Sequence, residues 1–386
     1  MRYLIEAGIV LVGEDLEIRR NASLYIEDGK IESIGLSGFS AGSNVKKINF
    51  RRGIIMPSLV NAHIHTADVG FEEVGWDLDI DSVVGEPYGL KYTLLNKYKE
   101  RISDFIERSL RLSLLSGSLV LNDFREGGLD GILKALAASS KFREIVYLPS
   151  YMPDIRSVYR DPGAFTRDLK EISRYTKWIA LSSPHYYNKD FLEKIDDLAE
   201  SLGVWILSHV AETRDVREEK DFELIRDLRR LRAVIHGVYL SHEDLLELRD
   251  KGVNLILCPR SNMWFGSGLI DLNKIISSGV RLGLGTDNAG WIKPDMWREM
   301  EYLVNIARLQ SAALDPREIL KIATVYNAEI FGIKNIIDEE REAFFIGLSS
   351  EWINIESSGN IYLSIIKRGG PESLRIIARN TFLRIF

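Results

Sequence analysis

The sequence predicts an α/β protein built on a (β/α)8 barrel of the TIM type, with a small β domain made from the two ends of the chain. Three observations predict this fold. Apolar runs alternate with amphipathic helical segments through the middle of the chain, histidines fall where those runs end, and the N-terminal region consists of short strand-like runs. Alternating strands and helices are typical of a parallel sheet, and eight such units close into a barrel.

The N-terminal residues alternate between apolar runs and turn signals. Strands are expected at residues 3–12, 17–27, 31–35 and 45–50. The dipeptide Asp28-Gly29 separates the second and third of these runs, and Asp-Gly between two strand-like runs is a strong hairpin signal. The sequence therefore predicts antiparallel pairing at this end of the chain.

The middle of the chain carries the repeated strand–helix pattern. Eight apolar runs lie at residues 54–61, 118–123, 145–150, 178–183, 204–208, 233–235, 253–257 and 281–285. Amphipathic helices are expected at residues 92–115, 129–139, 190–202, 216–231, 242–251 and 294–309, and a further helix opens at Asp315-Pro316. These elements predict a barrel over residues 54–336.

The C-terminal tail, from about Ile336, returns to strand-like runs such as residues 360–367. Because both ends of the chain look like strands, we expect residues 1–53 and 337–386 to form one discontinuous β domain beside the barrel.

Composition excludes several classes of function. The chain has 386 residues, of which 45% are hydrophobic and 27% charged, and its formal charge is −6, which disfavours a nucleic-acid partner. No apolar run is long enough for a membrane span and the N-terminus lacks the shape of a signal peptide, so we expect no membrane association and a cytoplasmic location. Cys258 is the single cysteine, which excludes a disulfide framework within one chain. Homo-oligomerisation stays open.

The histidines cluster at the ends of the apolar runs. His63 and His65 end the first run with one residue between them, and strand geometry places such a pair on the same side, where it can hold one metal ion. By itself the pair could also be two structural histidines. The other residues that follow a run are His185, His209, His236 and Asp287. Because barrel enzymes keep their chemistry at the C-terminal ends of the strands, this distribution predicts one functional rim.

Six motifs extend this pattern along the chain. They are Met56-Pro57-Ser58-Leu59-Val60-Asn61-Ala62-His63-Ile64-His65, Ser183-Pro184-His185, His209-Val210-Ala211-Glu212, His236-Gly237, Cys258-Pro259-Arg260-Ser261-Asn262 and Gly285-Thr286-Asp287-Asn288. The set resembles the metal-dependent amidohydrolase superfamily, in particular its branch of deaminases and chlorohydrolases acting on cytosine, guanine, S-adenosylhomocysteine and triazines. The resemblance covers about residues 50–332. The tail departs from it, because the Ala-Asp-Leu strand that usually closes the small β domain is missing.

The resemblance implies a metal site made of four side chains. His63, His65, His209 and Asp287 would bind one divalent metal ion per chain, zinc in the first place and iron as the alternative. Three neutral nitrogens and one carboxylate leave an open position for water. For His209 the alternative is a buried histidine bonded to a carbonyl group.

The resemblance also implies the groups that move protons. Glu212 stands at the position of the proton shuttle, and His236 would hydrogen-bond the metal-activated water or the developing alkoxide. Asp287 could accept a proton while it binds the metal. The alternatives are a solvated loop glutamate at Glu212 and a core histidine at His236.

Superfamily members with two metals usually bridge them with a carboxylated lysine at the end of strand 4. Here strand 4 ends Ala180-Leu181-Ser182-Ser183, and Lys177 lies at its beginning. A single metal is therefore favoured, and with it deamination at an aromatic C–NH2 carbon.

The substrate is expected to be a small heterocycle. His185 and Arg125 lie at the rim and are candidate substrate contacts, with structural roles equally open for both. Residues 66–90 form an acidic segment after strand 1 that should overhang the site as a lid, or is only a solvated loop. Within it, Trp76 and Tyr88 could stack on a flat ring, and its negative charge disfavours a phosphorylated substrate.

The sequence thus favours a hydrolytic deaminase of a purine, pyrimidine or related heterocycle, working through a metal-activated water. The alternative is displacement of another leaving group, such as halide, alkylamine or an amide nitrogen, by the same chemistry. A binding or assembly protein without turnover is a third reading, and the complete set of metal and proton-shuttle residues argues against it.

Overall fold

A computed structural model of the protein describes residues 1–36 and 44–386, and this part of the chain contains two β-sheets. The strands are β1 (Arg2–Val12), β2 (Glu17–Glu27), β3 (Lys30–Leu36), β4 (Lys46–Pro57), β5 (Leu59–His65), β6 (Ser118–Arg125), β7 (Val146–Tyr151), β8 (Trp178–Leu181), β9 (Trp205–Val210), β10 (Leu231–His236), β11 (Asn254–Leu257), β12 (Leu282–Leu284), β13 (Asp287–Asn288), β14 (Phe344–Ser349), β15 (Leu374–Arg379) and β16 (Phe382–Ile385).

Helices connect most of these strands. They are α1 (Ile80–Val84), α2 (Leu90–Lys97), α3 (Ile102–Leu115), α4 (Gly128–Ser139), α5 (Ile155–Arg160), α6 (Pro162–Ile172), α7 (Lys189–Leu202), α8 (Arg214–Glu218), α9 (Asp221–Ile225), α10 (His242–Asp250), α11 (Pro259–Trp264), α12 (Leu272–Ser278), α13 (Met296–Leu309), α14 (Pro316–Lys321), α15 (Asn327–Ile330) and α16 (Ile361–Arg368). Short 3-10 turns lie at Thr66–Phe71, Lys99–Arg101 and Pro184–Tyr186, and a π-helical turn lies at Ile322–Tyr326. Among the described residues, no helix combines the length and the apolar character needed to span a bilayer.

The larger sheet is parallel and curls back on itself. Its nine strands follow the order β12-β11-β10-β9-β8-β7-β6-β5-β13. The two ends of this order, β12 and β13, are separated in the chain only by Gly285 and Thr286, and Asp287 of β13 pairs with Ile64 of β5. The carboxyl ends of all these strands therefore face one side, where the predicted site residues lie.

The interior of the curled sheet is apolar. It is filled by side chains from alternate strand positions, among them Phe124, Ala180, Leu207, Ile235 and Ile256. Their neighbours along the strands pack outwards against the helices in a separate, larger cluster. This alternation is what a sheet covered on both faces requires.

The smaller sheet is mixed and joins the two ends of the chain. Its seven strands follow the order β16-β15-β14-β4-β1-β2-β3, in which β14 pairs antiparallel with β4. The predicted hairpin is confirmed, since Asp28 and Gly29 take φ values of 48° and 88°, as a two-residue turn of type I′ needs. The sheet has its own apolar core, which includes Ile5, Leu24 and Phe345.

The first predicted barrel strand divides between the two sheets. Residues 54–57 belong to the end of β4 and pair with β14, for example Pro57 with Phe345, whereas the parallel sheet begins at Leu59. Ser58 lies at the crossing, where its carbonyl oxygen accepts a hydrogen bond of 2.8 Å from Asn335 Nδ2. An unbroken apolar run gives no sign of this boundary, because both sheets bury it equally.

One predicted strand in the tail is wrong. Residues 360–367 fall on α16, whose first turn is capped by the Asn360 side chain through a bond of 3.0 Å from the Leu363 backbone N–H. The helix buries Ile361, Ile365 and Ile366, which repeat with helical spacing. The strand that pairs with β4 in place of the missing Ala-Asp-Leu segment is β14.

Two predicted helices are interrupted. Residues 92–115 divide into α2 and α3 around a 3-10 turn at Lys99–Arg101. Residues 216–231 contain the end of α8 and the separate helix α9, because Lys220 takes a left-handed φ of 55° that an α-helix does not allow.

Candidate active site

Four predicted ligands meet at the carboxyl ends of the parallel strands. Donor atoms of His63, His65, His209 and Asp287 all lie within 4.8 Å of one another. His63 Nε2 lies 3.1 Å from Asp287 Oδ1 and 3.3 Å from His209 Nε2, and His65 Nε2 lies 3.5 Å from the same carboxylate oxygen. A tetrahedral zinc ion with bonds of about 2.0–2.2 Å separates its ligand atoms by about 3.3–3.6 Å. The spacing and chemistry of these donors therefore fit a metal ion.

Neighbouring groups orient two of these imidazoles. His209 Nδ1 lies 2.7 Å from the carbonyl oxygen of Ser182, to which it can donate. His65 Nδ1 lies 3.0 Å from Glu126 Oε1, and Glu126 in turn is 2.7 Å from the ammonium group of the buried Lys91. For His209, a hydrogen held on Nδ1 leaves Nε2 with its lone pair facing the centre of the cluster, as a metal ligand requires. Nδ1 of His65 lies within hydrogen-bond distance of both the Glu126 carboxylate and the Lys91 ammonium, the latter at 3.0 Å.

Burial keeps the cluster in the protonation state that suits a metal. It lowers the pKa of His63 to about 3 and that of His209 well below its usual value, so both rings are neutral near pH 7. Burial alone would raise the pKa of Asp287, but the hydrogen bond with His63 and the neighbouring imidazoles outweigh it and hold the pKa well below the usual range.

Two site residues have a left-handed backbone. His236 has a φ of 73° and Asp287 a φ of 66°, and a non-glycine residue occupies this region only at some energetic cost. His236 is the last residue of β10, and Asp287 is the first residue of β13, directly after the two-residue link that follows β12.

Glu212 and His236 lie beside the four predicted ligands. Glu212, His236 and Asp287 also offer donor atoms within 4.8 Å of one another, and Glu212 Oε2 is 3.5 Å from His236 Nε2. Burial, together with the carboxylates of Asp287 and Asp81, raises the pKa of Glu212 well above its usual value. Glu212 is therefore a carboxyl group that holds a proton more readily than an exposed glutamate does.

Ser261 supports the opposite side of Asp287. Its hydroxyl donates a hydrogen bond of 2.5 Å to Asp287 Oδ2, which leaves Oδ1 facing the imidazoles. Ser261 lies on α11, directly after Arg260, whose guanidinium is 3.1 Å from the fully buried Glu299. The Ser261 and Glu126 contacts were not predicted, although Ser261 belongs to a motif that the sequence displays.

A cavity of about 80 Å³ opens above the ligands. Its lining includes His185, Asp81, Val84, Glu86 and Glu212. A second cavity of about 590 Å³ lies beside it and shares three wall residues with it, namely Glu86, Tyr92 and Met152.

Glu86 stands between the two cavities. Its side chain is buried and accepts a hydrogen bond of 3.2 Å from the backbone N–H of Ile155, while Oε2 has no hydrogen-bond partner among the described residues. Burial raises the pKa of Glu86 to about 7. From the sequence this residue was only one of several acidic residues in the segment 66–90, because nothing local distinguishes a buried carboxylate.

The four predicted substrate contacts differ in which cavity they line and in how exposed they are. His185 lines the smaller cavity. Arg125 is buried, forms ion pairs with Asp123 and Glu126, and lines the larger cavity. Tyr88 also lines the larger cavity but is 86% exposed, whereas Trp76 is 72% exposed and lines neither of these two cavities.

A model of the amidohydrolase family matches residues 54–369 of the chain. The chain belongs to the amidohydrolase family. The resemblance carried by the sequence motifs is thereby confirmed. This amidohydrolase is 30% identical to a protein of Methanothermobacter thermautotrophicus whose name provisionally describes an aminohydrolase, over 97% of this chain and 96% of that protein. It is 25% identical to the 5-methylthioadenosine/S-adenosylhomocysteine deaminase of Pyrococcus furiosus, over 87% of this chain and 84% of that enzyme.

A solved structure shares the fold. The amidohydrolase superposes on an adenosine deaminase from Xanthomonas campestris, a structure with bound zinc, with a TM-score of 0.82 over 99% of this chain and 92% of that chain at 18% identity. Family membership and relatives named as deaminases make the protein a hydrolytic enzyme that acts on carbon–nitrogen bonds.

Proposed function

We propose that the protein is a hydrolytic deaminase of a purine, pyrimidine or related heterocycle. The observation that carries the proposal is the convergence of three Nε2 atoms and one carboxylate beside a second carboxyl group, Glu212, with a raised pKa. In deamination, water adds to the ring carbon that bears the amino group, the C–N bond breaks, and ammonia leaves with a proton gained from the protein.

The four clustered side chains would hold one divalent ion per chain. His63, His65, His209 and Asp287 supply three imidazoles and a carboxylate, a set that favours zinc, with iron as the alternative. A bound ion of this kind activates a water molecule as a nucleophile near neutral pH.

Glu212 and His236 would manage the protons of the reaction. A carboxyl group whose pKa is raised can take a proton from the attacking water and return it to the leaving nitrogen. His236 is neutral, because burial lowers its pKa to about 4, and would donate a hydrogen bond to the oxygen on which charge develops. Asp287 is a further acceptor within the same group of atoms.

The cavities favour a heterocycle that carries a substituent. The smaller cavity, at about 80 Å³, is below the range of about 300–1,000 Å³ that is usual for ligand sites, whereas the adjoining cavity adds about 590 Å³. We propose that the reacting ring lies over the metal ligands and its substituent extends past Glu86. One relative is named as a 5-methylthioadenosine/S-adenosylhomocysteine deaminase, and such a name is consistent with a ring in the smaller cavity and a substituent in the larger one.

Among the described residues that line the smaller cavity, no lysine or arginine is left unpaired to receive a phosphate group. Asp81, Glu86 and Glu212 line this cavity, and its one lysine, Lys91, already pairs with Asp68 at 3.0 Å and with Glu126. We propose that His185 contacts the ring and Arg125 lies along the wall of the larger cavity. Stacking by Trp76 or Tyr88 stays a prediction that requires movement of the segment 66–90.

We also propose that the chain is organised as a (β/α)8 barrel with a discontinuous β domain. The pairing of β14 with β4 supports a β domain made of residues from both ends, and the proximity of β12 and β13 supports a closed barrel. The sequence places the boundary between the β domain and the barrel before residue 54. Because β4 continues to Pro57, we propose that this boundary lies at Ser58. Homo-oligomerisation stays a prediction.

Release of ammonia by the zinc-loaded protein tests the function. The panel should contain adenosine, 5′-methylthioadenosine, S-adenosylhomocysteine, guanine and cytosine, with adenosine monophosphate as the charged counterpart. We expect turnover of at least one uncharged heterocycle, and much weaker turnover of the phosphorylated one.

Two outcomes would contradict the proposal. Release of chloride or alkylamine from substituted triazines, without ammonia from any panel member, would favour displacement of another leaving group. No turnover of either set by fully metal-loaded protein would favour a binding protein.

A further inference from the structure

Asn262 is buried next to both of the residues proposed to move protons. It lies on α11, outside the four metal ligands, and is only 1% exposed. Its Nδ2 is 3.0 Å from His236 Nδ1 and 3.5 Å from Glu212 Oε1. A single side-chain amide therefore links the histidine and the carboxyl group.

The two neighbours determine which way this amide faces. The amide nitrogen carries two hydrogens, so it can donate both to His236 Nδ1 and towards Glu212 Oε1. If the amide were turned over, Oδ1 would face Glu212, which offers a hydrogen only in its protonated form. With an ionised Glu212, the form that can take a proton from water, the arrangement with the nitrogen facing both groups pairs each donor with an acceptor. In this arrangement Oδ1 has no hydrogen-bond partner among the described residues.

A histidine that accepts a hydrogen bond on Nδ1 carries its hydrogen on Nε2. In neutral imidazole one ring nitrogen donates and the other accepts. Since Nδ1 faces the amide of Asn262, Nε2–H points towards Glu212 Oε2, at 3.5 Å, and towards the group that includes Asp287. His236 then offers a donor where the substrate oxygen would develop charge.

We propose that Asn262 is a positioning residue that selects the Nε2–H tautomer of His236 and holds the Glu212 carboxyl group beside it. The proposal rests on the proposed hydrolytic function for the use of these two groups, whereas the tautomer is inferred from the contacts of Asn262 alone. Among the described residues, the Asn262 side chain forms no hydrogen bond with the four predicted metal ligands, and it acts through His236 and Glu212.

The helix that carries Asn262 is anchored on three sides. The Asn262 backbone N–H donates to the carbonyl oxygen of Cys258 at 3.0 Å, Arg260 pairs with Glu299, and Ser261 bonds Asp287. The amide therefore cannot shift without disturbing α11. Such anchoring is what an orienting group needs if it is to hold another side chain within a few tenths of an ångström.

The first test observes the tautomer directly. Zinc-loaded protein labelled with ¹⁵N-histidine gives ring signals that distinguish Nδ1–H from Nε2–H, and the chain has six histidines. The His236 signal is identified by its loss in His236→Asn. We expect Nε2–H in the native protein and Nδ1–H in Asn262→Asp, because a carboxylate can only accept from the ring. Nδ1–H in the native protein overturns the proposal.

The second test separates positioning from structural support. We expect Asn262→Ala to lower kcat by about 10- to 100-fold, the usual effect of removing an orienting partner, with KM changed less than about threefold and full zinc content. The matched control is Asn254→Ala, which removes another buried asparagine whose Nδ2 bonds the Arg232 carbonyl at 2.9 Å. It should cost stability without a comparable loss of kcat.

The outcomes distinguish this proposal from the function on which it rests. If the native protein turns over no heterocycle, the proposed function fails while the nitrogen signals still report the tautomer. If turnover is found, an unchanged kcat and an unchanged His236 signal in both Asn262 variants overturn the positioning role. Melting temperature and zinc content identify a variant that fails to fold.

Discussion

Burial decides the chemistry of the individual site residues. Glu212 and Glu86 are ordinary glutamates in the sequence, yet burial raises the pKa of both, to about 7 in the case of Glu86. The pKa of Glu126 is shifted in the opposite direction. The charges of Lys91 and Arg125 outweigh the effect of burial and hold this pKa well below the usual range. Three identical side chains thus have three different proton affinities because their surroundings differ.

Replacement of Glu212 separates proton transfer from metal binding. We expect Glu212→Gln to keep full zinc content and to lower kcat by more than about 100-fold, since it removes a general acid–base group. His63→Ala should instead lose the metal, because it deletes one of the clustered donors. Zinc analysis and initial rates on the same preparations check both expectations, and near-native turnover of Glu212→Gln would rule out its proton-shuttle role.

Glu86 should make the stability of the protein depend on pH. Its folded-state pKa of about 7 lies above the 4.5 of an unperturbed glutamate, so the folded protein keeps a proton that the unfolded chain loses. The free energy of unfolding should therefore fall as pH rises from about 4.5 to 7, by at most about 3.4 kcal/mol at about 1.36 kcal/mol per pH unit. Glu86→Gln should be more stable than the native protein at pH 8 and nearly equal at pH 4.5.

Denaturant unfolding at several pH values measures this difference. The control is Glu218→Gln, which alters an exposed glutamate and should leave the pH dependence as it is in the native protein. A constant difference between Glu86→Gln and the native protein from pH 4.5 to pH 8 would contradict the assignment.

At the scale of elements, the ends of strands and the short helices after them carry the site. Strand alternation and the histidine positions predicted which strands would contribute. The same reasoning missed α11, since a six-residue helix gives almost no periodic signal. It also misassigned residues 360–367, because a short apolar run fits a strand as well as a buried helix, and only the packing of Ile365 and Ile366 distinguishes them.

The segment 66–90 can be tested by comparing two side chains in it. Val84 lines the smaller cavity, so Val84→Ala should raise KM by about threefold to tenfold, since two methyl groups of apolar contact are lost. Zinc content should not change. Trp76→Ala is the matched comparison. An equal rise in KM for Trp76→Ala would show that the segment closes and brings Trp76 onto the substrate, whereas no rise for either variant would make the segment a surface feature only.

At the scale of the whole molecule, one nearly continuous extended segment connects the two sheets. β4 passes into β5 across Ser58 alone, and β14 pairs with the same end of β4. Loosening of the mixed sheet should therefore reach β5, the strand of the parallel sheet that carries His63 and His65.

Removal of Phe345 tests this coupling. Its side chain is fully buried in the core of the mixed sheet, so Phe345→Ala should lower the free energy of unfolding by about 3–5 kcal/mol. We expect far-UV circular dichroism and zinc release to shift to the same lower denaturant concentration. The control, Phe382→Ala on the edge strand β16, removes a partly buried ring and should cost less. Zinc release at the native denaturant concentration in Phe345→Ala would show that the mixed sheet unfolds independently.

The sequence by itself determined the alternation of strands and helices, the family, and the strand ends at which His63, His65, His209 and Asp287 stand. These features are local, because period and motif spacing are properties of neighbouring residues. Only the tertiary structure decided the boundary at Ser58, the helix at residues 361–368, and the contacts of Glu126, Ser261 and Asn262 with the site. Those contacts join residues far apart in the chain, and burial, which sets the proton affinity of Glu86 and Glu212, depends on the packed molecule as a whole.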